Sequence, residues 1–366
     1  MSNKIIFLLL LIFFVSSCSH KSTDCNEQQD QKEVSFISQL ASYPADTQFA
    51  DVWADGNYAY VGTFIGSGVF IIDISTPSQP VIAAHYQADS AVPFKDIKVK
   101  NGIGYFAGEA GEGVHIVDLS EPSDPQFITR INSEQKGYDS VQNIFVSAGF
   151  LYLVSAGNST IIKVFDVRVP ATPDFVMDIE STDTSHVHDV TVLNGKLYSA
   201  GQGGATDIFD VQVITDGQVT LLGSFSSGEK THSNWVTEDG NYLVSTREVE
   251  NGDVRIFNIA DPQAAELVAT ISAASLGIEG TSPHNLAIYQ DILFVAWYDK
   301  GLQVIDLKDP VNPKSIGIYD TFRDDCLLTK PFRGNWGVYP FLGFDKILLS
   351  DTQNGLVVVD VNAVVE

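Results

Sequence analysis

The feature that most restricts the fold is a repeat. GVFIIDISTPSQP (68–80), GVHIVDLSEPSDP (113–125), IIKVFDVRVPATP (161–173), DVRIFNIADP (253–262) and GLQVIDLKDPVNP (301–313) each run from an apolar segment into Asp or Asn and then into a turn holding proline. ATDIFDVQVITDG (205–217) fits without the prolines, and GLVVVDVNAVVE (355–366) supplies the first half only. The marker residues are Asp73, Asp118, Asp166, Asp210, Asn258, Asp306 and Asp360, at intervals of 45, 48, 44, 48, 48 and 54. Seven copies at one period define a repeat architecture before any local motif is weighed.

Upstream of the markers lie hairpin signatures such as FADVWADGNYAYVG (49–62), VTVLNGKLYSAG (190–201) and NWVTEDGNYLVS (234–245), in which Asp-Gly or Asn-Gly separates two alternating runs. A unit is therefore four short antiparallel strands, and its length matches a propeller blade. The last unit stops after its third strand, and VSFISQLAS (34–42) is an unmatched strand of the kind that closes the other units. The sequence thus predicts an all-β, seven-bladed β-propeller spanning 33–366 and closed by its N-terminal strand, which leaves no sheet edge open at the seam.

Residues 1–17 stand apart. Lys4, the eleven apolar residues IIFLLLLIFFV (5–15) and the small residues before Cys18 form a signal peptide too short to span a bilayer. The VSSC stretch resembles a bacterial lipobox, which implies cleavage before Cys18 and a diacylglycerol on its sulfur, an anchor that needs no spanning helix. Residues 18–32 then read as the lipidated cysteine and a polar tether. Ser19, with no aspartate at that position, resembles outer-membrane sorting if the cell has two membranes, and otherwise the expected location is simply the cell envelope. Cys25 in the tether and Cys326 are candidates for a disulfide in an oxidising compartment. The formal charge of −25, from 46 acidic and 21 basic residues, argues against nucleic acid, and contact with a membrane is expected through the lipid alone. A monomer is expected.

GVFIIDISTPSQP and GLQVIDLKDPVNP resemble LVIVD repeats, which occur in secreted and surface-attached bacterial proteins. The stretches 231–245, 284–313 and 336–360 are similar to one branch, the choice-of-anchor B type, and the resemblance implies a β-propeller with a variable means of surface attachment. It implies no activity. That branch has an acidic cluster after its TEDGNYL-like strand, whereas Arg247 and Glu248 follow here, which counts against a cation site built on such a cluster.

In a propeller the first strand of each blade lines the central channel. Aligning first strands puts Asp51, Asp96, Asn143, Asp189, Asn234, Asn285 and Gly337 in one ring. These groups are expected to hydrogen-bond backbone at the channel mouth, sparing buried amides about 1–3 kcal/mol each. The alternative is that the aspartates hold a cation such as Ca²⁺.

Four of the seven histidines sit beside the ring: His186, His188, His232 and His284, on three consecutive blades. Such imidazoles suit Zn²⁺, Cu²⁺ or Fe²⁺. Regular strand alternation, however, sends His232 to the face opposite His188.

No Gly-x-Ser-x-Gly elbow, Walker loop or Cys-x-x-Cys is present, and the glycine-rich GEAGEG (108–113) and GQGGAT (201–206) fall where blades need tight turns. Trp53, Trp235, Trp297 and Trp336 are expected in the core between blades. The long interval at 321–336 is read as a loop beside the channel mouth, with Arg323 and Arg333 as candidate ligand contacts. The sequence therefore points to a binding scaffold for a protein, peptide or glycan. A metal-dependent, oxidoreductase-like enzyme and a structural surface protein are the alternatives.

Overall fold

The computed structural model describes residues 32–40, 43–321 and 332–366. The signal peptide, Cys18, Cys25, Arg323 and Cys326 lie outside them. Among the described residues the strands form seven sheets. The first blade is Gln48–Asp55, Tyr58–Ile65, Val69–Asp73 and Val81–Tyr86, ordered from the inside outward. Five more blades repeat this order. The seventh takes Asn335–Tyr339, Ile347–Asp351 and Gly355–Asp360 from the C-terminus and Ser35–Gln39 from the N-terminus.

Closure is visible in the packing. Seven apolar clusters fill the seven gaps between neighbouring blades, including one between blades six and seven and one between blades seven and one. An open stack of seven blades would have only six such gaps. At the seam Ser35–Gln39 pairs antiparallel with Gly355–Asp360, and the Leu40 amide donates to the Leu356 carbonyl at 3.0 Å. Just before it, Lys32–Glu33 runs parallel to Lys314–Tyr319 on the outside of blade six, so the entering chain ties two blades together.

The marker residues have a uniform role. Each of the seven accepts a hydrogen bond from the backbone amide two residues ahead, from Ser75, Ser120, Arg168, Gln212, Ala260, Lys308 and Asn362, at 2.8–3.0 Å. This is the Asx turn, in which a short side chain replaces a backbone acceptor and turns the chain toward the outer strand. Asn258 serves as well as the aspartates because only the acceptor oxygen is needed.

Two bulges recur. Pairing between third and fourth strands slips in every blade, which adds twist to the exposed edge and makes it a poor template for further strands. Pairing between first and second strands slips just before the ring residue in six blades, for example between Phe94 and Asp96, Val187 and Asp189, and Thr231 and Asn234. A bulge re-aims the side chains around it. Here it turns residues near the start of those six inner strands toward the axis.

Candidate functional site

The residues aligned from the inner strands lie around the channel, where several bond backbone of other blades and Asp51 bonds side chains instead. Asp96 accepts from the Ile144 amide of the next blade at 2.6 Å, and Asn143 accepts from the Val190 amide of the blade after that at 3.2 Å. Asn234 donates to the Ser199 carbonyl at 2.8 Å, and Asn285 donates to Asp51 at 3.3 Å. Asp96, Asn143 and Asn234 therefore pin neighbouring blades together, and Asn285 reaches past blade seven to blade one. Gly337 is the one member without a polar side chain, because a Cβ there would stand 2.9 Å from the Asp51 carboxylate and 2.9 Å from the Ser350 hydroxyl.

Sequence reasoning did not single out Lys98. Its ammonium donates to Asp51 at 3.2 Å and also to Asp96. A positive charge thus already stands among the aspartates that the Ca²⁺ alternative requires. Burial pulls the Lys98 ammonium down, but the Asp96 and Asp51 carboxylates outweigh it and hold it above the usual lysine value. Burial pushes the Asp51 carboxyl up to about 8 despite Lys98, and Asp189 up to about 7 against a hydrogen bond from Ser233.

Above this ring the histidines gather. The His188 and His232 rings lie 4.2 Å apart between centroids, and His232 and His284 lie 4.1 Å apart. The alternation that separates His232 from His188 fails because the inner strand of blade five is not regular: Thr231 opposes Arg247 while Asn234 opposes Ser245. Three steps on one strand match two on the other, and the extra residue swings His232 to the side of His188. His186 stays apart, its ring 6.4 Å from His188 and its Nδ1 against the Ser185 hydroxyl at 3.1 Å.

Glu248, which sequence reasoning set against a cation site, belongs to the cluster. It follows the second strand of blade five, Tyr242–Arg247, and its carboxylate lies 3.4 Å from His232 Nε2 and 3.9 Å from His284 Nε2. Donor atoms of His188, His232 and Glu248 all lie within 4.8 Å of one another. Tyr298 donates to Glu248 Oε1 at 2.7 Å. Burial, with the Glu248 charge beside it, keeps that phenol protonated well above its ordinary value. Arg247 turns away to the Glu229 carbonyl and Asp253.

Burial also lowers all three imidazoles. His232 and His284 fall well below the usual histidine value, and His188 falls against the opposing pull of Glu248. They are neutral at pH 7. The Trp336 carbonyl, 2.7 Å from His284 Nδ1, can only accept, so His284 carries its proton on Nδ1 and presents a lone pair at Nε2.

Beside the cluster a cleft of about 660 Å³ is lined by Phe64, Glu248, Tyr298, Phe332, Arg333 and Trp336 among others. Arg333, one of the two candidate ligand contacts, lines this cleft. Trp336 departs from the core expectation: it is half-buried and lies 4.3 Å from His284 and 5.3 Å from Phe64, ring to ring. Trp297 is fully buried, as expected, whereas Trp53 and Trp235 are partly exposed and line the channel below the ring. The inward turn of the inner strands brings their indoles to that wall.

Comparison with known proteins bears on the fold. The LVIVD repeat matches residues 48–88, 95–133 and 281–321, and a repeat of unknown function, DUF6923, matches 127–283. No curated protein matches the chain. Solved structures similar to it include the RRP9 WD40 repeats, with a TM-score of 0.66 at 9% identity over 90% of this chain and 99% of that one. The computationally designed Ika8 protein gives a TM-score of 0.58 at 13% identity over 89% of this chain and 99% of that one. Identities this low speak to architecture alone. With LVIVD repeats matched in three of its blades and its ring closed, the chain is a seven-bladed β-propeller that contains LVIVD repeats.

Proposed function

We propose that this chain is a lipid-anchored, extracytoplasmic binding protein, a rigid wheel whose rim cleft takes a protein segment, peptide or glycan. The observation that carries the reading is the cleft. Its volume of about 660 Å³ suits a side chain cluster or a few sugar units, and its aromatic walls are flanked by the charged Arg333 and Glu248. Phe64 and Phe332, 38% and 51% exposed, line it together with the half-buried Trp336, whose ring lies 5.3 Å from Phe64, so the apolar exposure here is clustered as in a binding groove. Supporting the anchored location are Lys4, the apolar run 5–15 and the lipobox-like residues before Cys18. The likeness of 231–245, 284–313 and 336–360 to the choice-of-anchor B branch supports a surface role.

Two measurements test this. Cells producing the wild-type chain are expected to retain it in membranes washed with high salt, while Cys18→Ser moves it to the soluble fraction; equal retention of both would end the lipid reading. On peptide and glycan arrays the wild-type protein is expected to bind a defined subset. Trp336→Ala should weaken that binding about tenfold or more, as removal of an aromatic anchor does. Arrays that show nothing above a Cys18-anchored unrelated protein would count against the binding role.

A further inference from the structure

We propose that the channel mouth holds one divalent first-row transition ion, bound by His188, His232 and Glu248, with His284 as the adjoining fourth donor. This goes beyond the binding role and stands independently of it. The ligand set differs from a triad of histidines alone, since a carboxylate from another loop of blade five joins it.

Three observations carry the inference. The first is separation. Two donors about 2.0–2.1 Å from one ion at a tetrahedral angle stand about 3.4 Å apart. His232 Nε2 and Glu248 Oε2 are 3.4 Å apart, and the full trio lies within 4.8 Å, which small side-chain rotations close.

The second is unsatisfied donor chemistry. His188 Nδ1 is buried with no hydrogen-bond partner among the described residues while its Nε2 meets the Gln142 amide at 3.2 Å, and His284 aims its Nε2 lone pair at a carboxylate oxygen 3.9 Å away. The His284 lone pair facing a carboxylate oxygen repels it unless a positive centre lies between them. The same residue types elsewhere in the molecule look different. In blade two His115 has both nitrogens satisfied, by Tyr86 at 2.7 Å and Glu112 at 2.8 Å, and Glu112 also binds Arg130 and Ser90. That buried cluster is complete in itself; the one at the channel mouth is not.

The third is the supporting shell. Metal-binding imidazoles usually donate their other N–H to a carbonyl, and metal-binding carboxylates are themselves hydrogen-bonded. His284 donates to the Trp336 carbonyl, and Tyr298 donates to Glu248. Nitrogen and oxygen donors without sulfur suit Zn²⁺, Co²⁺, Fe²⁺ or Cu²⁺.

The test uses the full chain in detergent, stripped with chelator and titrated with Co²⁺ and then Zn²⁺, followed by visible absorption and calorimetry. One Co²⁺ per chain is expected, with d–d bands that Zn²⁺ abolishes. His188→Ala, His232→Ala and Glu248→Gln should each weaken binding at least a hundredfold. Tyr298→Phe, which only releases the carboxylate from its hydrogen bond, should cost about tenfold. Metal-free variants must keep the wild-type unfolding midpoint; if a histidine variant does not fold, the near-isosteric Glu248→Gln decides. The proposal is overturned by no saturable binding, by wild-type affinity in Glu248→Gln, or by a thiolate-to-cobalt charge-transfer band assigning the ion to cysteine.

Discussion

A chain lacking residues 1–40 is expected to lose its single cooperative unfolding transition and to associate. Removing Ser35–Gln39 strips blade seven of its outer strand and bares the Gly355–Asp360 edge, which carries Leu356, Val357, Val358 and Val359. Val34 and Leu40, both buried, leave the clusters on either side of that blade. Burial of two such side chains contributes roughly 3–6 kcal/mol, a large share of the about 5–15 kcal/mol by which a folded domain exceeds its unfolded state. The Tyr43 hydroxyl, which accepts from the Leu356 amide at 2.9 Å, would lose the strand that positions it. Calorimetry should show a melting temperature lower by about 10 °C or more. Light scattering should show growth with concentration as bare edges pair. A synthetic peptide covering 32–43 should reverse both effects. Wild-type melting and a monomeric truncated chain would refute closure by this strand.

Lys98→Met is the second large effect. The ammonium is about nine-tenths buried between Asp51 and Asp96, so its removal leaves carboxyl groups in the channel with no compensating charge. Breaking a buried pair by deleting one partner costs about 3–5 kcal/mol. The effect depends on pH with a definite sign. Burial pushes the Asp51 carboxyl up to about 8 in the folded chain, far above an ordinary carboxylate. The folded chain therefore keeps a proton that the unfolded chain gives up, and stability from this group falls as pH rises from about 4 to about 8. Without Lys98, which holds the Asp51 carboxyl down, the fall extends to higher pH. Denaturant titrations at pH 5 and pH 8 should show a larger deficit at pH 8. Adding Asp51→Asn and Asp96→Asn should recover most of the loss, since asparagine already serves at Asn143, Asn234 and Asn285. A variant with the wild-type midpoint at both pH values would show that Lys98 carries no weight in the channel.

The architecture was legible because it is periodic. Seven Asx markers, the Asn-Gly and Asp-Gly hairpins and the missing last strand each express a local requirement, and local requirements repeat with the unit. The polar ring was legible for the same reason. Position in the inner strand decides what faces the axis, and six polar residues at one position record that.

The site was only half legible. His188, His232 and His284 could be placed on adjacent blades, but strand alternation put His232 on the wrong side. The bulge between Thr231 and Asn234 reverses that outcome, and a bulge leaves little trace in apolar patterning because it shifts register over a single residue. Glu248 was visible only as a departure from a related pattern. Its approach to His232 depends on the path of the chain after the second strand, which no spacing in the sequence encodes. Lys98 passed unnoticed because a lysine on a strand usually faces water, and only the closed ring makes that place an interior.

By itself, then, the order of residues determined the number of blades, their strand content, the seam and the level of the ring, all set by contacts within one unit or between identical neighbours. The tertiary structure alone decided which imidazoles share a face, that a carboxylate joins them, and that an ammonium sits among the aspartates. Those outcomes depend on where different blades come to rest around a common axis, a distance of many residues along the chain and a few ångströms in space.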